Sequence, residues 1–89
     1  MKVYFLGTGG GRFVTLTQVR WTGGLRIEAD EAIHIDPGPG ALRAYREFSF
    51  PSNFSAIFLS HDHLDHENDV NALIELMTRG TTQRRGIVF

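Results

Sequence analysis

The sequence predicts an α/β domain, a mixed sheet with about two helices. Three observations point there. Short runs of apolar or alternating residues are bounded by glycine, proline or acidic residues, the pattern of strands. Two other segments carry apolar residues at helical spacing. The composition, 42% hydrophobic and 21% charged over 89 residues, is that of a globular chain with room for one small domain.

Taken in order, Val3 to Leu6 is a short apolar run ending in glycine and reads as a buried first strand. Gly7-Thr8-Gly9-Gly10-Gly11-Arg12 follows. Its glycine spacing is not the dinucleotide fingerprint, and no Walker lysine is present. The segment Phe13 to Trp21 is β-branched and aromatic, which predicts a strand or extended loop and argues against a nucleotide-binding Rossmann unit. The glycines are either a flexible turn or a nest of backbone N–H groups near a metal site, with Arg12 as a phosphate ligand.

Leu25, Ile27 and Ala29 alternate with Arg26 and Glu28, as in a half-buried strand. Ala32 to Asp36 is a second strand with Ile33 and Ile35 on one side. A three-residue loop, Asp30 to Ala32, would put those isoleucines on the face of Leu25 and Ile27. His34 and Asp36 then share the other face, with His34 a surface or packing histidine rather than a ligand. Asp36-Pro37-Gly38-Pro39-Gly40 turns the chain.

Ala41, Ala44, Tyr45 and Phe48 follow helical spacing, with Arg43, Arg46 and Glu47 opposite. Ala56 to Leu59 is apolar on both faces, the mark of a central strand covered on both sides. Asn68 or Asp69 opens a second helix carrying Val70, Leu73, Ile74 and Met77, and Gly80 ends it. Gly86 to Phe89 reads as the first residues of another strand.

The net charge of −1 gives no strong field toward nucleic acid or anionic membrane. With no cysteine there is neither a disulfide framework nor a thiolate metal site, which fits the cytoplasm. The N-terminal apolar run is too short for a signal peptide, and no segment has the length of a membrane span.

The chemistry concentrates in Ser60-His61-Asp62-His63-Leu64-Asp65-His66. These seven residues hold three of the four histidines and two of the five aspartates. Imidazole and carboxylate are ordinary ligands of zinc, and of iron or manganese. His61 and His63 are two apart, so an extended segment points both to one side. Asp65 and His66 offer a second pair of donors beside them. Two metals roughly 3.5–4 Å apart can clamp a displacement reaction between them.

His61-x-His63-x-Asp65-His66 resembles H-x-H-x-D-H, the signature of the metallo-β-lactamase fold superfamily. The resemblance implies that His61 and His63 serve one metal, and that Asp65, the expected catalytic carboxylate, and His66 serve the other. Strand–Asp36–Pro37–Gly38 resembles the family's first motif, which implies that Asp36 orients a ligand histidine. The chain as a whole, residues 1–89, is similar to the N-terminal half of that family's α/β/β/α sandwich. Phe5-Leu6-Gly7-Thr8-Gly9 is most similar to its phosphodiesterase branch, which includes the tRNA 3′-end-processing endonucleases.

The family also uses a later histidine for each metal and a later bridging aspartate. Here no histidine follows His66, and the acids beyond it are Glu67, Asp69 and Glu75. The resemblance therefore implies a partial domain, with two zinc ions (or manganese or iron) held only once a C-terminal half or complementing chain supplies the remaining ligands. Two functions compete. One is a metal-dependent hydrolase of phosphodiester or other ester bonds, with a nucleic acid among the possible substrates and Arg12 as an aid. The other is a non-catalytic metal-binding or self-associating fragment, dimerising through an open sheet edge.

Overall fold

Five strands and four helical segments make up the chain, and the computed structural model describes all 89 residues. In order they are β1 (Lys2–Phe5), α1 (Arg12–Thr17), β2 (Leu25–Glu28), β3 (Ala32–Ile35), α2 (Ala41–Glu47), β4 (Ala56–Phe58), α3 (Leu64–Glu67), α4 (Val70–Met77) and β5 (Ile87–Val88). The strands lie side by side in sequence order in one sheet. β1–β2 and β2–β3 pair antiparallel, β3–β4 and β4–β5 parallel, so the sheet is mixed. No helix is long and apolar enough to cross a membrane.

The two parallel steps require crossovers, supplied by α2 and by α3 with α4. Successive crossovers of one hand, advancing in one direction, lay their helices on the same face. α2 and α4 accordingly pack together. Under them lies the core: Leu6, Ala41, Ala44, Tyr45, Phe54, Ile57, Leu73 and Met77. Met77 is a packed core residue, as its spacing predicts.

The opposite face of the sheet is apolar and open. Ile27 stands opposite Ile33, and Leu25 opposite Ile35, as the alternation requires. Three residues, Ala29 to Glu31, separate the paired Glu28 and Ala32, so the loop has the expected length but starts one residue earlier. Leu25, Ile27, Ile33 and Ile35 remain half-buried, while Val3, Phe5, Phe58, Ile87 and Phe89 are exposed. Phe58 and Phe89 stack with ring centroids 4.6 Å apart. β4 is thus covered on one side only, and β1 is an exposed edge strand, where both were expected to be buried.

The helix-covered face of the hairpin instead carries Arg26 and His34, both fully buried. Alternation places residues on a common face but does not say which face the helices cover. Burial of a charge is tolerated only with partners. Arg26 has them: Glu28 Oε2 at 3.0 Å, the Tyr45 hydroxyl at 3.2 Å, and the rings of Tyr45 and Phe50 each 5.3 Å from its guanidinium carbon. His34 lies between the Tyr45 hydroxyl at Nδ1 (3.0 Å) and the Gly23 carbonyl at Nε2 (2.7 Å). It is a packing histidine.

Two helical segments were not expected. Arg12–Thr17 is α1, where β-branched composition predicts extended chain. Local bonds override that propensity: the Thr15 hydroxyl donates to the Gly11 carbonyl, and Gln18 Nε2 donates to Thr15 O and Thr22 Oγ1. A helix therefore does follow the glycine loop. The antiparallel β1–β2 pairing still departs from the parallel Rossmann unit. α3 is a single turn inside the histidine-rich segment. Phe48, expected on the packed face of α2, is half exposed and lies 5.6 Å from the Phe50 ring.

Candidate metal centre

The parallel strands β3 and β4 end side by side, and their C-terminal tips carry the two motifs. Beyond β3, Asp36 adopts a left-handed conformation (φ 52°). Aspartate enters that region more readily than most non-glycine residues. The turn aims the carboxylate across at the segment that leaves β4. Asp36 Oδ1 accepts from the Ser60 backbone N–H at 2.7 Å. Oδ2 accepts from the Ser60 hydroxyl at 2.7 Å and lies 3.0 Å from His66 Nδ1. Burial raises the Asp36 pKa, but the two Ser60 bonds and the His66 contact outweigh it and hold the carboxyl below its ordinary value. Asp36 is then an ionised, acceptor-only group, so His66 Nδ1 must be the donor.

His63 ends the extended stretch (φ −79°, ψ 149°), and Leu64–Glu67 then turns once as α3. That turn brings Asp65 and His66 back beside the earlier histidines. The His61 ring lies 4.0 Å from that of His66 and 4.5 Å from that of His63. Asp65 Oδ2 is 3.2 Å from His66 Nε2. It also accepts from the Gly11 backbone N–H at 2.8 Å. That bond, aided by the nearby His66 and His61, outweighs desolvation and holds the Asp65 pKa below its ordinary value. The glycine loop thus spends one N–H on Asp65 rather than leaving it for a phosphate.

Gly11, Arg12, His61, His63, Asp65 and His66 line a shallow cleft of about 370 Å³. Arg12 opens α1 at its rim, without an ion-pair partner. All the residues singled out in the sequence are therefore neighbours. Sequence reasoning gave no role to Ser60 or to the contact of Gly38 beneath Asp65, and it offered the glycine-loop N–H groups to a phosphate rather than to Asp65. Each depends on a partner at least 24 residues away, for which spacing carries no signal.

The donors suit zinc in kind: three imidazoles and an ionised carboxylate. Their arrangement falls short of a formed site, because no group of three or more converges as a metal ion needs. His66 faces carboxylates at both ring nitrogens. Nδ1 donates to Asp36, which can only accept. The other nitrogen, Nε2, faces Asp65 Oδ2 at 3.2 Å, a contact that a second ring proton satisfies and where a metal ion could take the proton's place.

The chain is 44% identical over 89 residues to the uncharacterized protein MJ1374 of Methanocaldococcus jannaschii. The match takes in 98% of this chain and 34% of that protein, so the chain spans about a third of its relative's length. No protein-family model and no solved structure matches the chain.

Proposed function

We propose that this chain carries the metal-binding part of a metal-dependent hydrolase of metallo-β-lactamase type, acting on phosphodiester or other ester bonds. The observation behind this reading is His66 set between the carboxylates of Asp36 and Asp65, with His61 and His63 packed alongside at the strand tips. His61 and His63 would hold one zinc-type ion, and Asp65 and His66 would contribute to a second. Such ions supply Lewis acidity and make water acidic enough to react near neutral pH. Asp36 orients His66 through Nδ1, and the Gly11 N–H holds Asp65 ionised and in place. Arg12, at the cleft rim, offers a guanidinium to an anionic substrate. Further ligands would come from chain beyond these residues or from a complementing chain.

The test pairs metal counting with hydrolysis of bis(p-nitrophenyl) phosphate, for wild type and His63→Ala. The variant is expected to lose metal and turnover together. Normal metal content and normal turnover in it would exclude the assignment.

A second reading is a non-catalytic fragment that self-associates or awaits a partner chain. It is favoured by the open apolar sheet face and by the lack of three converging donors. One ion or none per chain, with no turnover and with dimers in sedimentation, would support it. Two tightly held ions with turnover would contradict it.

A further inference from the structure

The metal reading above assigns no part to Ser60, yet its hydroxyl touches more of the centre than any other uncharged side chain. Ser60 Oγ lies 2.7 Å from Asp36 Oδ2 and 2.8 Å from His61 Nδ1. A serine hydroxyl has one proton to give and lone pairs to accept with. A carboxylate can only accept, so the Ser60 proton points to Asp36. Toward His61 the hydroxyl can then only accept, which requires the His61 proton to sit on Nδ1. The free lone pair of His61 is therefore on Nε2, the ring edge away from Ser60.

We propose that Ser60 is a positioning residue, relaying the Asp36 carboxylate to His61 and fixing that imidazole with Nε2 as its ligating nitrogen. One carboxylate then orients two ligands, His66 directly and His61 through the hydroxyl. This explains why Asp36 holds Ser60 twice, at its backbone N–H and at its side chain. The backbone bond keeps the hydroxyl at the distance where the relay works. Partners of this kind at the second nitrogen of a ligand histidine are worth about 10–100-fold in metal affinity. The inference rests on the metal reading for its purpose, but not for its geometry.

The experiment separates the two. Histidine ¹⁵N–¹H correlation spectra of the metal-free 89-residue chain report which ring nitrogen carries the proton. They are recorded about two pH units above the ordinary histidine pKa of ~6.5, where imidazoles are neutral. Wild type is expected to show His61 protonated at Nδ1. Ser60→Ala should lose that preference, while Ser60→Thr, which keeps a hydroxyl, should retain it. Zinc titration should show affinity about 10–100-fold weaker for Ser60→Ala and near wild type for Ser60→Thr. An unchanged His61 proton position in folded Ser60→Ala overturns the proposal, as does a Thr variant that behaves like Ala. A wild type that binds no zinc but shows the proton shift in Ser60→Ala upholds the relay and counts against metal binding by these 89 residues on their own.

Discussion

Gly38 lies against the main chain of Asp65. A Cβ at Gly38 would collide with the carbonyl oxygens of Asp65 and Thr22, both of them backbone atoms that cannot swing aside. The turn after β3 therefore forms the floor under the histidine-rich segment, and the Asp69 N–H donating to the Pro37 carbonyl at 2.9 Å closes the contact. Gly38→Ala should destabilise the chain by about 1–3 kcal/mol through overpacking and weaken zinc binding by displacing Asp65. Gly10→Ala is the control, because a Cβ there meets nothing within 4 Å. It should shift stability by no more than about 1 kcal/mol, in either direction. Urea midpoints of the two variants check this; equal losses would contradict it.

Asp36→Asn isolates the carboxylate's charge from its backbone role. Asparagine tolerates the left-handed conformation that Asp36 occupies, so the turn should survive. What is lost is an ionised acceptor for the Ser60 hydroxyl and His66 Nδ1. Zinc affinity should fall about 10–100-fold, with little change in secondary structure by circular dichroism. Unaltered affinity would show that His66 needs no carboxylate behind it.

The parts of this arrangement that are legible in the sequence are local ones. His61, His63, Asp65 and His66 lie within six residues, so spacing alone brings them together. Asp36 stands out because a strand ends on it before prolines and glycines. Ser60 has no such mark, since a serine after a strand is an ordinary turn residue until its partner 24 residues away is seen. Arg26 misleads for a different reason. A charged residue alternating with isoleucine and leucine reads as solvent-facing, and only Tyr45 and Phe50, from α2 and the segment after it, make its burial tolerable. Phe13 to Thr17 misleads because β-branched side chains are weak evidence where local side-chain bonds close a helical turn.

His34 should make stability depend on pH. Burial, with Arg26 beside it, lowers its pKa from 6.5 to about 4, against the opposing Gly23 hydrogen bond. Between those values the unfolded chain binds a proton that the folded chain refuses, so stability falls as pH drops from 6.5 toward 4. The full loss from this residue is about 3 kcal/mol. Asp36 and Asp65, held below their ordinary values, lose their contribution only at still lower pH. Urea titrations at pH 7 and pH 5 should therefore show a lower midpoint at pH 5, and His34→Gln should flatten that difference. A wild-type midpoint constant across this window would contradict a buried neutral imidazole.

Ile57 and Phe58 are adjacent on β4 but face opposite sides of the sheet. Ile57 is fully buried under α2 and α4, while Phe58 stays 38% exposed on the open face. Ile57→Ala should cost about 2–5 kcal/mol, a large fraction of what an 89-residue chain has. Phe58→Ala gives up only partial burial and its stacking on Phe89, about 1 kcal/mol. Chain concentration supplies the second variable. If the open face is free in solution, both costs are independent of it. If copies of the chain cover that face, the Phe58→Ala cost rises with protein concentration toward that of Ile57→Ala, because stability is then linked to association. Unfolding curves at two concentrations a hundredfold apart distinguish these outcomes. A Phe58→Ala cost equal to that of Ile57→Ala at the lower concentration would contradict the one-sided sheet itself.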